Sequence, residues 1–244
     1  MKKILIAIIL LTTTILSYAQ VGEYRNVFSL GVGGGYALNT VDFQPKVLQD
    51  MHGGLSIGAR GRYTCEKYFT MLCAVQVEAN ITQLGWRERI ETISGSKVIN
   101  AETGVAEEYR RDQTYLQIPF FAHLSWGRER KGVNAFINLG PQIGFALSEK
   151  TVKNYSTPYI ASDDANARAS TIVKQEDMPI ENKFDYGIIV GAGVEFHINK
   201  VGRFDIEGRY YYGLGNIYGD SKKDYFGISN NSTIFINLSY LCDL

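Results

Sequence analysis

Histidines near carboxylates are the residues of this chain whose types could support acid–base chemistry. His197 lies two positions from Glu195, and His123 belongs to another segment of alternating polar and apolar residues. A histidine held beside a carboxylate can act as a general base or a general acid. The same side chains also suit a hydrogen-bond network inside the protein, and this is the interpretation we favour.

Other motifs that could carry chemistry are weak or incomplete. His52 follows Asp50 in a predicted loop, which hints at a metal ligand but better fits a solvated side chain. The sequence has no G-x-S-x-G motif, and its glycine-rich run 31–36 lacks the last glycine of a dinucleotide-binding loop. We therefore predict no catalytic residue, no cofactor-binding residue and no metal ligand, and we do not expect an enzyme.

The composition favours an all-β protein and excludes several other classes. The 244 residues include 25 Gly, 16 Tyr and 12 Phe but only 5 Pro, which is typical of many strands joined by turns. The 25 basic and 25 acidic residues cancel, so we expect no basic face for nucleic acid. The 3 cysteines are too few for a disulfide framework.

Residues 1–19 have the features of a secretory signal peptide. Two lysines precede an apolar run over residues 4–11, and residues 17–19 form a small-x-small cleavage pattern. The apolar run is shorter than the ~20 residues of a membrane-spanning helix. We expect export, with residues 20–244 as the mature domain. Because no other long apolar stretch follows, membrane insertion would require a β-barrel.

Alternation of apolar and polar residues is the main structural signal in the mature chain. It is clear in four segments and weaker in four others, which together predict eight strands. No charged residue occupies the apolar parity of any of these segments. The predicted strands are Phe28–Leu38, Leu55–Tyr63, Phe69–Ile81, Leu116–Trp126, Val133–Leu147, Phe184–Ile198, Phe204–Leu214 and Ile234–Tyr240.

The lengths of the connections distinguish a membrane barrel from a soluble one. Long external loops and short periplasmic turns are typical of an outer-membrane barrel, whose apolar face meets lipid and whose polar face lines the lumen. We therefore predict an eight-stranded antiparallel up-and-down transmembrane β-barrel in the outer membrane. The long connections are Asn39–Gly54, Glu91–Arg110, Lys150–Lys183 and Ile217–Ser232, and the short ones are Cys65–Tyr68, Gly127–Lys131 and Asn199–Gly202.

Aromatic residues on the lipid-facing parity cluster at the two ends of the predicted strands. Aromatic rings concentrate at the headgroup level of membrane barrels. We therefore predict two girdles. The periplasmic girdle comprises Phe28, Tyr63, Phe69, Trp126, Phe196, Phe204 and Tyr240, and the external girdle comprises Tyr36, Phe145, Tyr186 and Tyr212.

Nine charged residues occupy the parity that faces the lumen. Eight strands close a barrel just wide enough for side chains to fill, and unpaired charges there would be costly. We expect the charges to pair across a plugged interior that is not a diffusion pore, although inward glycines leave room for a small cavity. The residues are Arg60, Arg62, Glu78, Asp185, Glu195, Arg203, Asp205, Glu207 and Arg209.

Two prolines and two cysteines lead to local expectations about the predicted strands. Pro119 and Pro141 fall inside strands, where a missing N–H is unusual, so we expect a bulge or a bend at each. Cys65 and Cys242 lie near the same rim but on strands separated by the first strand. Because a disulfide needs Cα atoms within ~4.4–6.8 Å, we expect no bridge between them.

The chain resembles the PorT-type outer-membrane β-barrel family of the Bacteroidota over nearly all of the mature sequence. The resemblance implies an eight-stranded, porin-like outer-membrane domain. The family's namesake is linked to protein secretion across the outer membrane, but no residue here carries that role. The motifs behind the resemblance are residues 39–46 (NTVDFQPK), 85–86 (GW), 115–119 (YLQIP), 139–144 (LGPQIG), 185–187 (DYG) and 191–196 (GAGVEF).

Several partners and roles follow as expectations. The last strand ends like the signal read by the barrel-assembly machinery, although Leu244 replaces the usual terminal aromatic. We expect a monomer surrounded by outer-membrane lipid. The loop 150–182 is too long to be only a connector, and either a contact surface or mobile shielding would explain it.

Three functions remain open. The first is a structural or binding role through the loops 91–110 and 150–182. The second is accessory service to a secretion or transport assembly through periplasmic turns such as Arg128–Lys131. The third and least favoured is a lipid-modifying enzyme that uses an internal cavity.

Overall fold

The computed structural model describes residues 22–128, 132–161, 164–219 and 225–244. The predicted signal peptide, residues 129–131 of the basic turn and Asp163 of the long loop lie outside the described residues. Within the described ranges, no helix has the length and hydropathy needed to cross a membrane.

The described residues form one antiparallel sheet that closes on itself. Eight long strands pair each with the next along the chain, and the last strand pairs with the first. This confirms the predicted eight-stranded up-and-down barrel. The strands are β1 (Glu23–Gln44), β2 (Gln49–Asp50), β3 (His52–Tyr68), β4 (Met71–Glu88), β5 (Tyr109–Trp126), β6 (Gly132–Lys153), β7 (Phe184–Ile198), β8 (Gly202–Asn216) and β9 (Ile228–Asp243), of which β2 is a short addition to the end of β4.

Several strands are much longer than the alternation predicted. The prediction of a long first loop from Asn39 to Gly54 is wrong, because Asn39 pairs with His52 and residues 40–44 continue the ladder with β9. A membrane-spanning strand needs only ~9–11 residues. The 22 residues of β1 therefore carry the barrel wall well beyond the bilayer on the loop side.

The predicted sorting of the connections by length is confirmed. At one end, the turns after β3 and β7 contain two and three residues, 69–70 and 199–201. At the other end lie the connections 89–108, 154–183 and 217–227. Phe69, predicted as the first residue of a strand, instead lies in its turn with a φ of 53°.

Neither proline within the strands produces a bulge. The β5–β6 register is the same on both sides of the proline pair, because Pro119 is opposite Gln142 and Ala122 is opposite Leu139. Pro141 also keeps its register with Ile188 on β7. Of the bulge or bend expected at each proline, the bulge is therefore absent. A proline removes one hydrogen-bond donor without adding a residue, so pairing is lost locally while the register continues.

The apolar parity faces outward, as expected of a membrane barrel. Ile137, Ile188 and Val190 are 45%, 53% and 43% exposed. Their chain neighbours Asn138 and Ile189 are buried in the lumen. A soluble barrel would show the reverse arrangement.

The aromatic residues assigned to the two girdles lie on the outer face, exposed or half-buried, except Phe69, which is exposed in the turn after β3. Cross-strand pairing of Phe196 with Phe204, and of Phe204 with Tyr240, places these three rings at one level near the short turns. Near the loops, the outward Phe145 packs on Phe184, with 5.3 Å between ring centroids.

Candidate functional site: ionic interior and loop cap

Arg62 is the centre of an ionic group close to the short turns. Its guanidinium is fully buried and contacts Glu195 of β7. It also donates to Asp205 of β8 at 2.7 Å and to Gln76 of β4 at 2.7 Å. A single cation therefore links four of the eight long strands of the barrel.

Arg209 is the centre of a second ionic group, one level higher. It donates to both oxygens of Glu78 at 2.7 and 2.8 Å and to Glu207 at 2.6 Å. Arg60 lies 3.7 Å from the same Glu78 carboxylate. Bidentate arginine–carboxylate contacts are among the stronger polar interactions in proteins.

The other two predicted lumen charges lie at opposite ends of the barrel. Arg203 contacts Asp243 at 3.0 Å, near the short turns. Asp185 lies toward the loops, where it accepts a hydrogen bond from Asn231 at 3.1 Å. Of the nine predicted lumen charges, three therefore belong to the Arg62 group and four belong to the Arg209 group. Arg203 and Asp185 belong to neither group.

An apolar layer inside the barrel, which the sequence did not indicate, lies between the ionic groups and the loops. Below it, a void beside Arg209, Gln117 and Asn237 measures only about 10 Å³. That is about the space of one water molecule. The layer consists of Ala37, Leu84, Tyr115, Phe121, Ile189, Tyr211 and Phe235, with Ala146 against it.

We predict from this packing that purified protein in planar lipid bilayers gives no steady ionic current. Paired charges and apolar side chains line the lumen, so we expect ions to find no continuous aqueous path. Single-channel recording at neutral pH checks this, with a known open porin as the positive control. Long-lived conducting steps would show that the interior is open.

The three histidines occupy sites different from those expected of a catalytic pair. His123 Nδ1 is 2.8 Å from Asn138 Oδ1, in the lumen. His197 lies 4.0 Å from Asp243. His52, predicted to be solvated near Asp50, is instead half-buried with its Nε2 3.3 Å from Asp112, because the strands continue where a loop was expected.

Metal ligands and reactive thiols are the remaining groups that could carry chemistry. The described residues contain no group of three or more His, Cys, Asp or Glu side chains arranged to hold a metal ion. Cys65, Cys73 and Cys242 are free thiols, and Cys65 and Cys242 form no bridge.

The long connections fold together into a cap over the loop end of the barrel. We define the cap as the described residues of 89–108, 154–183 and 217–227. An isolated bridge pairs Thr92 with Arg168 and so joins two of these loops, whereas the bridge between Ile99 and Ala106 lies within the first loop. The loop 154–183 includes a 3₁₀ turn at Lys174–Glu176.

A second hydrophobic core joins the cap to the barrel wall. Trp86 of β4 is fully buried, with its ring centroid 5.1 Å from both Phe43 of β1 and Tyr109 of β5. Aromatic contacts at these distances contribute beyond the area that they bury. The buried members are Val41, Phe43, Val47, Trp86, Ile90, Val98, Tyr109, Tyr155, Ile217, Tyr218 and Phe226.

The sequence did contain a signal for this core, in the form of an inverted alternation. On β4 the outward residues change from apolar, as at Ile81, to Gln83 and Arg87, while the inward residues become Leu84 and Trp86. Water surrounds the wall above the bilayer, so polar residues face out and apolar residues face in, as in a soluble protein.

Arg168 is the ionic centre of the cap. It donates to Glu107 and Glu176, each at 2.7 Å, and lies 3.5 Å from Glu88 at the end of β4. Its guanidinium also lies 4.9 Å from the ring centroid of Tyr155. All of these groups are buried, so this one cation links two loops to the barrel wall.

Burial raises the pKa of the Glu88 carboxyl to about 7, and the nearby Glu176 and Glu107 carboxylates add to the effect. Arg168 opposes the shift, but it lies closer to the other two acids than to Glu88. Glu88 stands above the apolar outer band of β4, outside the membrane-spanning segment. It therefore carries a proton in the folded cap over much of the acidic range.

We predict that the cap loses stability as the pH rises. The folded-state pKa of Glu88 is above the ordinary 4.5, so its contribution is complete below pH 4.5 and is lost as pH rises through about 7. The loss reaches up to about 3 kcal/mol. Acrylamide quenching of Trp86 fluorescence in a Trp126→Phe background should increase from pH 5 to pH 8. Glu88→Gln should remove this dependence, and an equal rise in that variant would contradict the assignment.

Apolar side chains are exposed on the outer surface of the cap. Ile93 and Val105 are 88% and 56% exposed, and Ile160 and Tyr225 are exposed as well. The bridge from Ile99 to Ala106 joins the two arms of a hairpin that carries both Ile99 and Val105. Exposed apolar patches on ordered surfaces commonly mark sites of interaction.

Comparisons with known proteins agree with the architecture. The family model for the outer membrane protein beta-barrel domain matches residues 18–219. Comparison with curated protein sequences gives no match.

Several solved structures are similar to this chain. OprG from Pseudomonas aeruginosa has a TM-score of 0.45 and 10% identity, covering 91% of this chain and 98% of its own. Ail, the attachment invasion locus protein of Yersinia pestis, has a TM-score of 0.34 and 13% identity, with 90% and 99% covered. Neisserial surface protein A has a TM-score of 0.39 and 9% identity, with 87% and 96% covered.

Proposed function

Because the chain belongs to the outer membrane protein beta-barrel domain family, we propose that it is a closed anchor that displays a folded binding cap at the cell surface. Its place in the outer membrane follows from the family. The observation that carries the proposal is the cap itself, since its loops share a hydrophobic core and a buried ionic centre. Loops that only shielded the barrel would not need such a core.

The outer surface of the cap supports binding of a partially apolar partner. The exposed Ile99 and Val105 lie on a hairpin whose backbone is held by hydrogen bonds from Asn100 to Val105 and from Glu107 to Val98. A rigid support reduces the entropy that binding must overcome. We propose that this hairpin provides the central contact.

Photocrosslinking in intact cells tests this function. A photoreactive residue in place of Val105 should yield a discrete adduct, and the adduct should disappear when the cap is disrupted by Arg168→Met. The same residue in place of Lys46, near the barrel wall, is the matched control. Adducts of equal yield from both positions, or adducts that persist after disruption, would count against the cap as a binding surface.

An accessory role in secretion or transport is the second candidate. The resemblance to the PorT-type family of the Bacteroidota supports it, through motifs such as residues 115–119 and 139–144. This role would act through the periplasmic turns. Replacing residues 155–182 by a short Gly-Ser linker should then leave the activity intact, whereas the same replacement should abolish cap-mediated binding.

We propose a non-enzymatic role for a monomer that is inserted by the barrel-assembly machinery and surrounded by outer-membrane lipid. His123 bonds to Asn138, and His197 lies 4.0 Å from Asp243. His123→Ala combined with His197→Ala should leave the acylation pattern of envelope lipids unchanged. A changed pattern would support the alternative of a lipid-modifying enzyme.

A further inference from the structure

A cavity of about 650 Å³ opens at the periplasmic end of the barrel, opposite the cap. It lies between the start of β1, the turn between β7 and β8, and the end of β9. Its volume falls within the ~300–1,000 Å³ of typical small-ligand sites. We call it the periplasmic vestibule, and its lining includes Arg25, Thr64, His197, Lys200, Arg203 and Asp243.

The charge of the vestibule favours an anion. Three basic side chains, Arg25, Lys200 and Arg203, line it together with His197. Arg25 also pairs with Glu23 at 2.8 Å, and Asp243 is the carboxylate of the lining. That carboxylate already shows what the site can bind, because it accepts hydrogen bonds from Ser29 Oγ at 2.6 Å and Arg203 Nη2 at 3.2 Å. The walls therefore present donors in an arrangement that suits a carboxylate.

Two buried donors in the vestibule have no acceptor among the described residues. Arg203 is 7% exposed and its Nε has no partner, and Thr64 is 4% exposed with its Oγ also unpaired. Leaving a buried donor unsatisfied is costly, more so when it is charged. A ligand oxyanion in the vestibule would satisfy both donors, which nothing else in the described structure does.

Apolar side chains form another part of the wall. Val27, Leu72, Ile198 and Val201 line the same cavity. A bare inorganic anion would leave this apolar surface in contact with water, whereas a peptide can place an aliphatic side chain against it. The combination of basic and apolar walls therefore favours a carboxylate carried on a short peptide segment.

We propose that the periplasmic vestibule binds the carboxylate of a peptide segment from the periplasm, with Arg203 as its principal contact. This inference is independent of the cap, since it concerns the opposite end of the barrel. It gives the protein a second point of contact, on the inner side of the outer membrane. Phosphate is also an oxyanion, so it is the alternative ligand against which the peptide carboxylate is compared.

Calorimetric titration of the refolded barrel in detergent micelles tests the proposal. The probes are N-acetyl-Ala-Val-Ala with a free carboxylate, the same peptide with a C-terminal amide, and inorganic phosphate. The free carboxylate should bind best, and Arg203→Gln should weaken it about ten- to hundredfold. Lys200→Gln, in an exposed turn, should weaken binding up to about fivefold. Lys46→Gln, at the far end, should have no effect.

Amide chemical shifts locate the bound peptide. Binding should move the signals of residues around Gly202 and His197 and leave those of the cap unchanged. Arg203→Lys retains the charge and should bind more tightly than Arg203→Gln, which separates a ligand contact from a general defect in folding. Equal affinity for the amide, phosphate binding as tight as the peptide, or unchanged affinity in both Arg203→Gln and Lys200→Gln would overturn the proposal.

Discussion

Replacing Arg62 with methionine should lower the free energy of unfolding by about 3–5 kcal/mol, the cost of leaving buried charges without their partner. Arg62 contacts both Glu195 and Asp205, and all three side chains are 0–1% exposed. Without the guanidinium, two carboxylates would face each other in a dry lumen. Urea unfolding of the barrel in detergent, followed by tryptophan fluorescence, measures the change.

The matched control for Arg62 removes the charges together. Arg62→Met combined with Glu195→Gln and Asp205→Asn leaves no ion unpaired, so it should recover most of the lost stability. If the triple variant is as unstable as the single one, the loss comes from packing around Arg62 and not from its charge.

Replacing Arg168 with methionine should disorder the cap while leaving the barrel folded. Three buried carboxylates, Glu88, Glu107 and Glu176, would lose their shared cation, at an expected cost of about 3–5 kcal/mol. Acrylamide quenching of Trp86 in the Trp126→Phe background should rise strongly, while heat-modifiable migration of the barrel on gels stays unchanged.

Arg89→Met is the matched control for the cap. Arg89 contacts Asp50 at 2.6 Å, but both side chains are about half exposed, and exposed ion pairs contribute little. Its loss should leave the quenching of Trp86 unchanged. Equal quenching in the two variants would mean that the Arg168 centre does not stabilise the cap.

Alternation predicted the membrane-spanning part of the fold well, and the reason is physical. Between the girdles, one face of every strand meets lipid and accepts no charge, so the pattern seen from Phe184 to Ile198 is strict. The positions of Arg62 and Arg209 on the inward face follow from the same parity. Their division into two groups does not, because it depends on which residues face each other across the lumen.

The cap could not be predicted in the same way. Above the bilayer both faces of the wall meet protein or water, and the pattern inverts, as Val41 and Phe43 turn inward while Asp42 faces out. A prediction that follows apolar residues at every second position on one face therefore ends such strands too early. The Arg168 centre brings together residues from β4 and two loops, 80 or so positions apart, and no local pattern marks such contacts.

Spin-label accessibility tests most directly whether the apolar face meets lipid and the ionic groups lie within. Labels at Val190 and Ile137, in a background with the three cysteines replaced by serine, should relax faster with oxygen than with a water-soluble nickel chelate, since oxygen concentrates in the bilayer. A label at Ile93 on the cap should show the opposite preference. If labels at Val190 and Ile137 respond more to the nickel chelate than to oxygen, the apolar face does not lie in the membrane.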